Sequence, residues 1–199
     1  VIPLSVLLMV LRHEIILMLF QRGKFDATAT GEASVVLIFF LVGAFAFAAN
    51  TIVPRAYYAM QDTLFPAIYG TIAVLLSIPL YMMGLNLMGT NGVALAISLS
   101  GIFQVTLLYV LWNKRSDNTG SRSVYSFYIK MIGFAALTGI FLIWFKSVAL
   151  DWIDSTTFIG SLMICALTGV IFLLILLGAG YGLKIKEITD LVNRLVRKL

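Results

Sequence analysis

Five stretches, at about 33–53, 64–87, 93–113, 124–149 and 158–183, run with almost no charge, and each is close to the roughly 20 residues a helix needs to cross a bilayer core. A chain of 199 residues that is 61% hydrophobic and 12% charged, with a mean hydropathy of +1.02, has too little interior to hide that surface from water. In lipid each backbone group must find its partner within the segment, so the spans are helices. The fold class is all-α, a polytopic integral membrane protein with five full transmembrane helices.

The flanks are shorter. Val1 to Leu11 is apolar but too short to cross, and reads as the second half of a truncated span. The first residue is not Met and no basic stretch with a cleavage site follows it. We therefore expect no signal peptide and a piece of something longer. From Arg12 to Gln21 the residues Ile15, Ile16, Leu19 and Phe20 recur at helical spacing among Arg12, His13 and Glu14. That pattern predicts a helix lying in the membrane interface, with His13 and Glu14 solvated. Thr28, Thr30 and Gly31 predict a polar loop. Pro79 inside the second span, beside Ser77, predicts a kink, and Asn91-Gly92 predicts the turn before the third. Lys114 to Ser123 is a hydrophilic loop. Tyr125 and Tyr128 open the fourth span and Trp144 and Trp152 close it, an aromatic belt at both edges. At 185–199, Ile185, Ile188, Leu191, Val192, Leu195 and Leu199 share one helical face, which predicts an amphipathic tail on a membrane surface.

The stretch Asn50 to Pro66, NTIVPRAYYAMQDTLFP, holds most of the polarity between the first two spans. Tyr57 and Tyr58 suit the headgroup layer and Arg55 can snorkel to phosphates. Asp62 or Thr63 can cap the next helix, and Pro66 falls in its first turn, where no backbone donor is lost.

With five alternating spans, ten of the fourteen Lys and Arg residues fall on one side and four on the other. The richer side carries the C-terminus, which places it in the cytoplasm. Small residues four apart mark packing seams: Ala44 with Ala48, Ala135 with Gly139, Ser161 with Cys165 and Gly169, and Gly178 with Gly182. Gly178, Gly180 and Gly182 follow no strand, so they are no dinucleotide fingerprint. A single cysteine, Cys165, excludes a disulfide within the chain. A single histidine, His13, offers no metal-ligand cluster, and no second histidine follows the His13-Glu14 pair at zincin spacing. We expect no cofactor, no metal and no nucleic-acid partner. Polar groups at membrane depth are Asn50, Arg55, Ser77, Ser98, Ser100, Gln104 and Thr138. Most such serines and threonines bond their own helix, and Asn50, Arg55 and Gln104 are the candidates for a translocation path.

The segment LFQRGKFDATAT at Leu19 to Thr30, the segment PRAYYAMQDTLFP at Pro54 to Pro66, and Gly92 to Ser100 stand in an order and spacing that resemble the C-terminal half of the MurJ (MviN) family of lipid II flippases. The matching motif positions are Arg22, Gly23 and Phe25, then Arg55, Tyr58, Asp62, Thr63 and Pro66. Beyond Trp112 only the hydropathy pattern agrees. The resemblance implies the C-lobe portion of a MATE-like (MOP) transporter fold. Residues 1–113 would be its C-lobe helices, from the end of the ninth helix to the twelfth. Residues 124–183 would be its terminal helix pair, lining a groove for a lipid tail, and 185–199 a cytoplasmic tail. It implies a non-enzymatic protein of the bacterial inner membrane. Such a protein moves a lipid-linked oligosaccharide-peptide precursor between leaflets by alternating access, with membrane lipids and an N-terminal lobe of the same protein as partners. The family's head-group arginines lie mainly outside this segment. Where some relatives hold sodium, Ser77, Tyr81 and Ile97 stand here, so the resemblance implies no sodium site of that type.

Two other classes compete. A related exporter of polysaccharide or cationic drugs shares the architecture, but a drug exporter is expected to carry an acidic residue inside a span. A membrane-embedded glycosyltransferase or phosphatase needs clustered carboxylates, and Asp151 with Asp154, an acidic pair beside Trp152, is expected to be a solvated outer loop. A scaffold role for the isolated piece is the remaining option.

Overall fold

The computed structural model describes residues 1–116, 121–150 and 152–182. The expected tail at 185–199, residues 117–120 of the hydrophilic loop, and Asp151 lie outside the described residues. Eight helices follow in chain order: α1 Ile2–Val10, α2 Arg12–Phe20, α3 Ala27–Val42, α4 Ala44–Ala59, α5 Leu64–Met88, α6 Thr90–Arg115, α7 Ser121–Leu150 and α8 Phe158–Gly182. Among the described residues, five stretches are long and apolar enough to cross a membrane: 27–59, 64–88, 90–115, 123–150 and 158–179. These are the five expected spans.

The first is longer than expected, because α3 and α4 run on from one another as 33 residues. At 1.5 Å per residue that is about 50 Å, more than a core of ~30 Å, so the span tilts or carries turns past the core. Asp26 starts it by accepting a hydrogen bond from the Ala29 N–H at 2.9 Å. Gly43 separates its two helices, and a Cβ there would sit 2.7 Å from Ser98 Cα. The joint is therefore where α6 presses against the α3–α4 backbone. Ser98, fully buried, donates to Phe39 O at 2.6 Å across the same contact.

α6 is the central helix and packs against α3, α4 and α5. Its approach to α5 is backbone to backbone. A Cβ on Gly92 would fall 1.9 Å from Gly84 O, and one on Gly84 would fall 2.4 Å from Gly92 O. This corrects the expected Asn91-Gly92 turn: the chain reverses at Gly89, with φ +60, and Asn91 and Gly92 lie in the first turn of α6. Gly92 serves helix contact, which needs the missing side chain more than a turn does. α5 continues unbroken through Pro79, and Ser77 Oγ donates to Val74 O at 2.7 Å.

The other elements form a second group. α1 and α2 meet at Leu11 with a bend of 71°. α1 packs on α7, α2 on α3 and α8, and α7 on α8. Leu7, Val10 and Leu11 are buried against Leu142 of α7 and Ile164 and Phe172 of α8. The expectation of a solvated Glu14 is thus corrected, since α2 buries Glu14, Ile16 and Leu17. Of the expected small-residue seams, Ala135 and Ser161 are buried, and a Cβ on Gly139 would meet Val6 Cγ1 at 2.6 Å. A Cβ on Gly169 or Gly178 would meet no neighbouring element within 4 Å, and in α4 the fully buried alanine is Ala46 rather than Ala44 or Ala48.

Candidate functional site

The two sequence motifs sit at opposite ends of the α3–α4 span, and both are chain reversals. In the first, Gly23 takes φ +61, a conformation that costs glycine little. The Phe25 N–H donates to Arg22 O at 3.1 Å, and the Phe20 and Phe25 rings lie 6.2 Å apart. Thr30, buried, donates to Gln21 Oε1 at 3.0 Å and ties the turn to α3. Arg22 and Lys24 are left exposed.

The second motif ends α4 and starts α5. Gln61 turns the chain with φ +58, and the Asp62 N–H donates back to Tyr57 O at 3.1 Å. Asp62 Oδ1 accepts from the Phe65 N–H at 3.0 Å, while its other oxygen pairs with Arg115 at the end of α6. The Phe65 N–H, and with it Arg115, hold the Asp62 carboxyl below the ordinary carboxylate value. Arg115 also lies over the Phe65 ring, 5.2 Å from its centroid. Asp62 is thus the side chain that caps α5; Thr63 makes no side-chain cap, and Pro66 is buried in the first turn.

Tyr57 departs from the expected headgroup role. It is 0% exposed and its hydroxyl donates to Leu108 O of α6 at 2.7 Å, while its ring stacks on Phe65 at 5.3 Å. Tyr58 is the exposed one of the pair. The aromatic pair in the sequence carries no mark that separates the two. Their different fates follow from helical phase, since only Tyr57 lies on the α6 side.

Arg55 is exposed on α4. Asn50 is half-buried, and its amide oxygen is enclosed without a partner. Gln104 is half-buried on α6 with its amide nitrogen close to Gly70 of α5, 3.5 Å from where a Cβ would stand. No hydrogen bond joins any two of these three among the described residues. Asn50 and Gln104 lie in the stretch between two α4–α6 contacts, Phe47 with Gly101 and Tyr57 with Leu108. Among the described residues, no three His, Cys, Asp or Glu side chains are grouped as metal ligands would be.

A third arrangement escaped the sequence reading. Glu14, expected to be solvated, is 2% exposed and pairs with Lys146 of α7 at 2.8 Å. Lys146 also donates to Val10 O at 2.9 Å. The signal lay in isolation: Glu14 is the one acid in the first 25 residues, and Lys146 interrupts an apolar run. On α7 and α8, Phe134, Leu137, Thr138, Phe141 and Ile175 line an open apolar groove of about 350 Å³.

A family model described as "Lipid II flippase MurJ" matches residues 1–175. The chain belongs to the MurJ family. Curated relatives carry the name "Probable lipid II flippase MurJ". The protein from Vibrio cholerae is 34% identical over 108 residues, covering 54% of this chain and 21% of that one. The protein from Haemophilus influenzae is 31% identical over 135 residues, covering 66% and 26%. A solved structure of "Lipid II flippase MurJ, inward closed conformation" superposes with a TM-score of 0.60 at 27% identity, covering 86% of this chain and 34% of that one. The chain spans about a fifth to a quarter of the length of these curated MurJ relatives. With this likeness, the chain has the fold of a polytopic membrane transporter.

Proposed function

We propose that this chain is part of a lipid II flippase and contributes to moving an undecaprenyl-diphosphate-linked peptidoglycan precursor across the bacterial inner membrane by alternating access. The observation that carries the reading is the family match across 1–175, a range that includes the turns built from Gly23 and Asp62. Transport of this kind needs no covalent chemistry, so the chain acts as a transporter and not as an enzyme. Residues 1–113 belong to one lobe and 124–183 to a terminal pair. The apolar groove between α7 and α8 suits a polyprenyl tail, and an N-terminal lobe supplies the head-group cavity.

Asn50, Arg55 and Gln104 are the residues of this segment that we assign to the path. The unpartnered amide oxygen of Asn50 and the exposure of Arg55 support the assignment. The excess of Lys and Arg on the Arg115 side supports a cytoplasmic C-terminus.

The test replaces the matching segment of the Vibrio cholerae relative with this chain and asks whether the chimera sustains cells depleted of their own flippase. Growth, with precursor appearing in the outer leaflet, is expected. A chimera that inserts at wild-type level but leaves precursor on the inner leaflet would remove the reading.

A further inference from the structure

A helix that stops leaves its last carbonyls without intrahelical partners, and in lipid no water replaces them. α1 stops at Val10, with Leu11 at the bend, inside the group of α1, α2, α7 and α8. Leu7 O is taken by the Leu11 N–H at 3.0 Å. The two carbonyls nearest the bend are met by cations: Arg12 Nη1 donates to Met9 O at 3.1 Å, and Lys146 Nζ donates to Val10 O at 2.9 Å. On the other side of the bend Glu14 lies in the first turn of α2, where a negative charge is favoured, and it holds the same ammonium at 2.8 Å. Cations thus face a helix C-terminus and an anion faces a helix N-terminus, all at one break. Glu14 is also the one buried charged residue among the described residues.

We propose that Lys146 is a built-in cation that latches the broken α1–α2 element to α7, with the Val10 carbonyl as its second ligand beside Glu14. Discontinuous helices in transporters present such carbonyl ends to mobile cations; here a side-chain ammonium occupies that position. The consequence is a hinge. While the ammonium bridges Val10 O and Glu14, the 71° bend is held and α1–α2 cannot shift along α7. When it withdraws, one carbonyl and one carboxylate are left in an apolar setting, and the bend loses its anchor. The inference does not depend on which molecule is carried.

Cys165, the single cysteine of the chain, reports the state of the latch. It packs against the cluster that holds Val10, Leu11 and Leu142, within electrostatic reach of both Glu14 and Lys146. The full chain in lipid nanodiscs is treated with N-ethylmaleimide, and the rate of Cys165 alkylation is compared with the melting temperature from circular dichroism. Lys146→Met is expected to raise the labelling rate roughly tenfold or more, because a local opening exposes the thiol far below global melting. Glu14→Gln is expected to raise it less, since the Val10 carbonyl keeps its donor.

The deciding variant is the exchange of the two charges, Glu14→Lys with Lys146→Glu. A plain ion pair would be restored by the exchange and labelling would return to the slow rate. The latch predicts fast labelling, because a carboxylate at 146 cannot donate to Val10 O. Slow labelling in the exchanged protein overturns the proposal, and so does wild-type labelling in both single variants. If Lys146→Met fails to give a helical, monodisperse protein, amide hydrogen exchange at the α1–α2 bend of Glu14→Gln decides: exchange faster than wild type, at an unchanged melting temperature, supports the latch, and wild-type exchange overturns it.

Discussion

The helices α3 to α6 and the helices α1, α2, α7 and α8 solve the same problem in different ways. In the first group the closest contacts are made by the backbone itself, at Gly84 against Gly92 and at Gly43 against Ser98, with the side chains of Phe47 and Tyr57 adding to them. In the second, contact is made through side chains, with Val6 over Gly139 and an ion pair under a broken helix. Lipid tails are as apolar as leucine, so neither group gains from hiding apolar surface, and close fit or polar bonds must hold the helices. Backbone contact leaves no slack. Side-chain contact can be remade.

The largest expected effect breaks the comparison if it fails. Gly92→Val puts branched carbon against the Gly84 carbonyl, which cannot move without moving α5. We expect a loss of roughly 3 kcal/mol or more, at the upper end of overpacking costs, read as a drop in unfolding midpoint or as failure to give monodisperse protein. Gly169→Val, with nothing within 4 Å of its Cβ, is expected to stay within about 0.5 kcal/mol. Equal losses would mean that contact with the Gly84 carbonyl is not what makes Gly92 costly to replace, since valine is the better helix former at both positions.

A second variant sharpens the account of the α4–α6 contact. Tyr57→Phe keeps the stack on Phe65 and removes the hydroxyl that donates to Leu108 O. The expected cost is about 1 kcal/mol, the ordinary worth of one buried hydrogen bond. Tyr58→Phe, on the exposed side, is expected to change stability by less than about 0.5 kcal/mol. A reversed order in thermal melting would reassign the anchor.

Such pairs of residues mark the limit of what the sequence makes legible. The five spans, their order and the Asp62 cap follow from hydropathy and turn chemistry, because lipid imposes one simple rule on long apolar runs. Helical phase is not so legible, because each side of these helices is apolar and periodicity no longer separates protein from lipid. That is why Tyr57 and Tyr58 read alike, why the sequence does not mark Gly84 and Gly92 as a seam, and why Gly169 resembles one. The burial of Glu14 is illegible for another reason: its partner Lys146 lies 132 residues away, and local spacing carries no trace of it.

In the second group, Gly139→Ala is the counterpart of the Gly92 change. Its Cβ would meet the end of a valine side chain at 2.6 Å, which can give way by a small shift of α1, and replacing a helix glycine recovers part of the cost. We expect a net loss of about 0.5 kcal/mol or less, measured in the same melting series. A loss as large as that of Gly92→Val would mean that α1 is as rigidly seated on α7 as α5 is on α6, and the contrast between the groups would disappear.

The smallest effect concerns pH at the loop joining α4 to α5. Asp62 has its carboxyl held down in the folded chain by the Phe65 N–H and by Arg115. A folded value below the unfolded one means that the stabilisation is present above the unfolded carboxylate value of about 4 and is lost as pH falls through the lower folded value. Melting temperature should therefore decline on acidification below about pH 4, and Asp62→Asn should flatten part of that decline by lowering the neutral-pH value toward the acid one. Asp154, held down by the Thr156 N–H and hydroxyl, contributes in the same window, so its Asn variant serves as the control from the α7–α8 loop. Because Asp62 also anchors Arg115 across from α6, salt should mimic part of the Asp62→Asn effect and none of the Asp154→Asn effect. If salt moves both equally, the Arg115 pair adds nothing to the cap, and the loop is held by the Phe65 N–H alone.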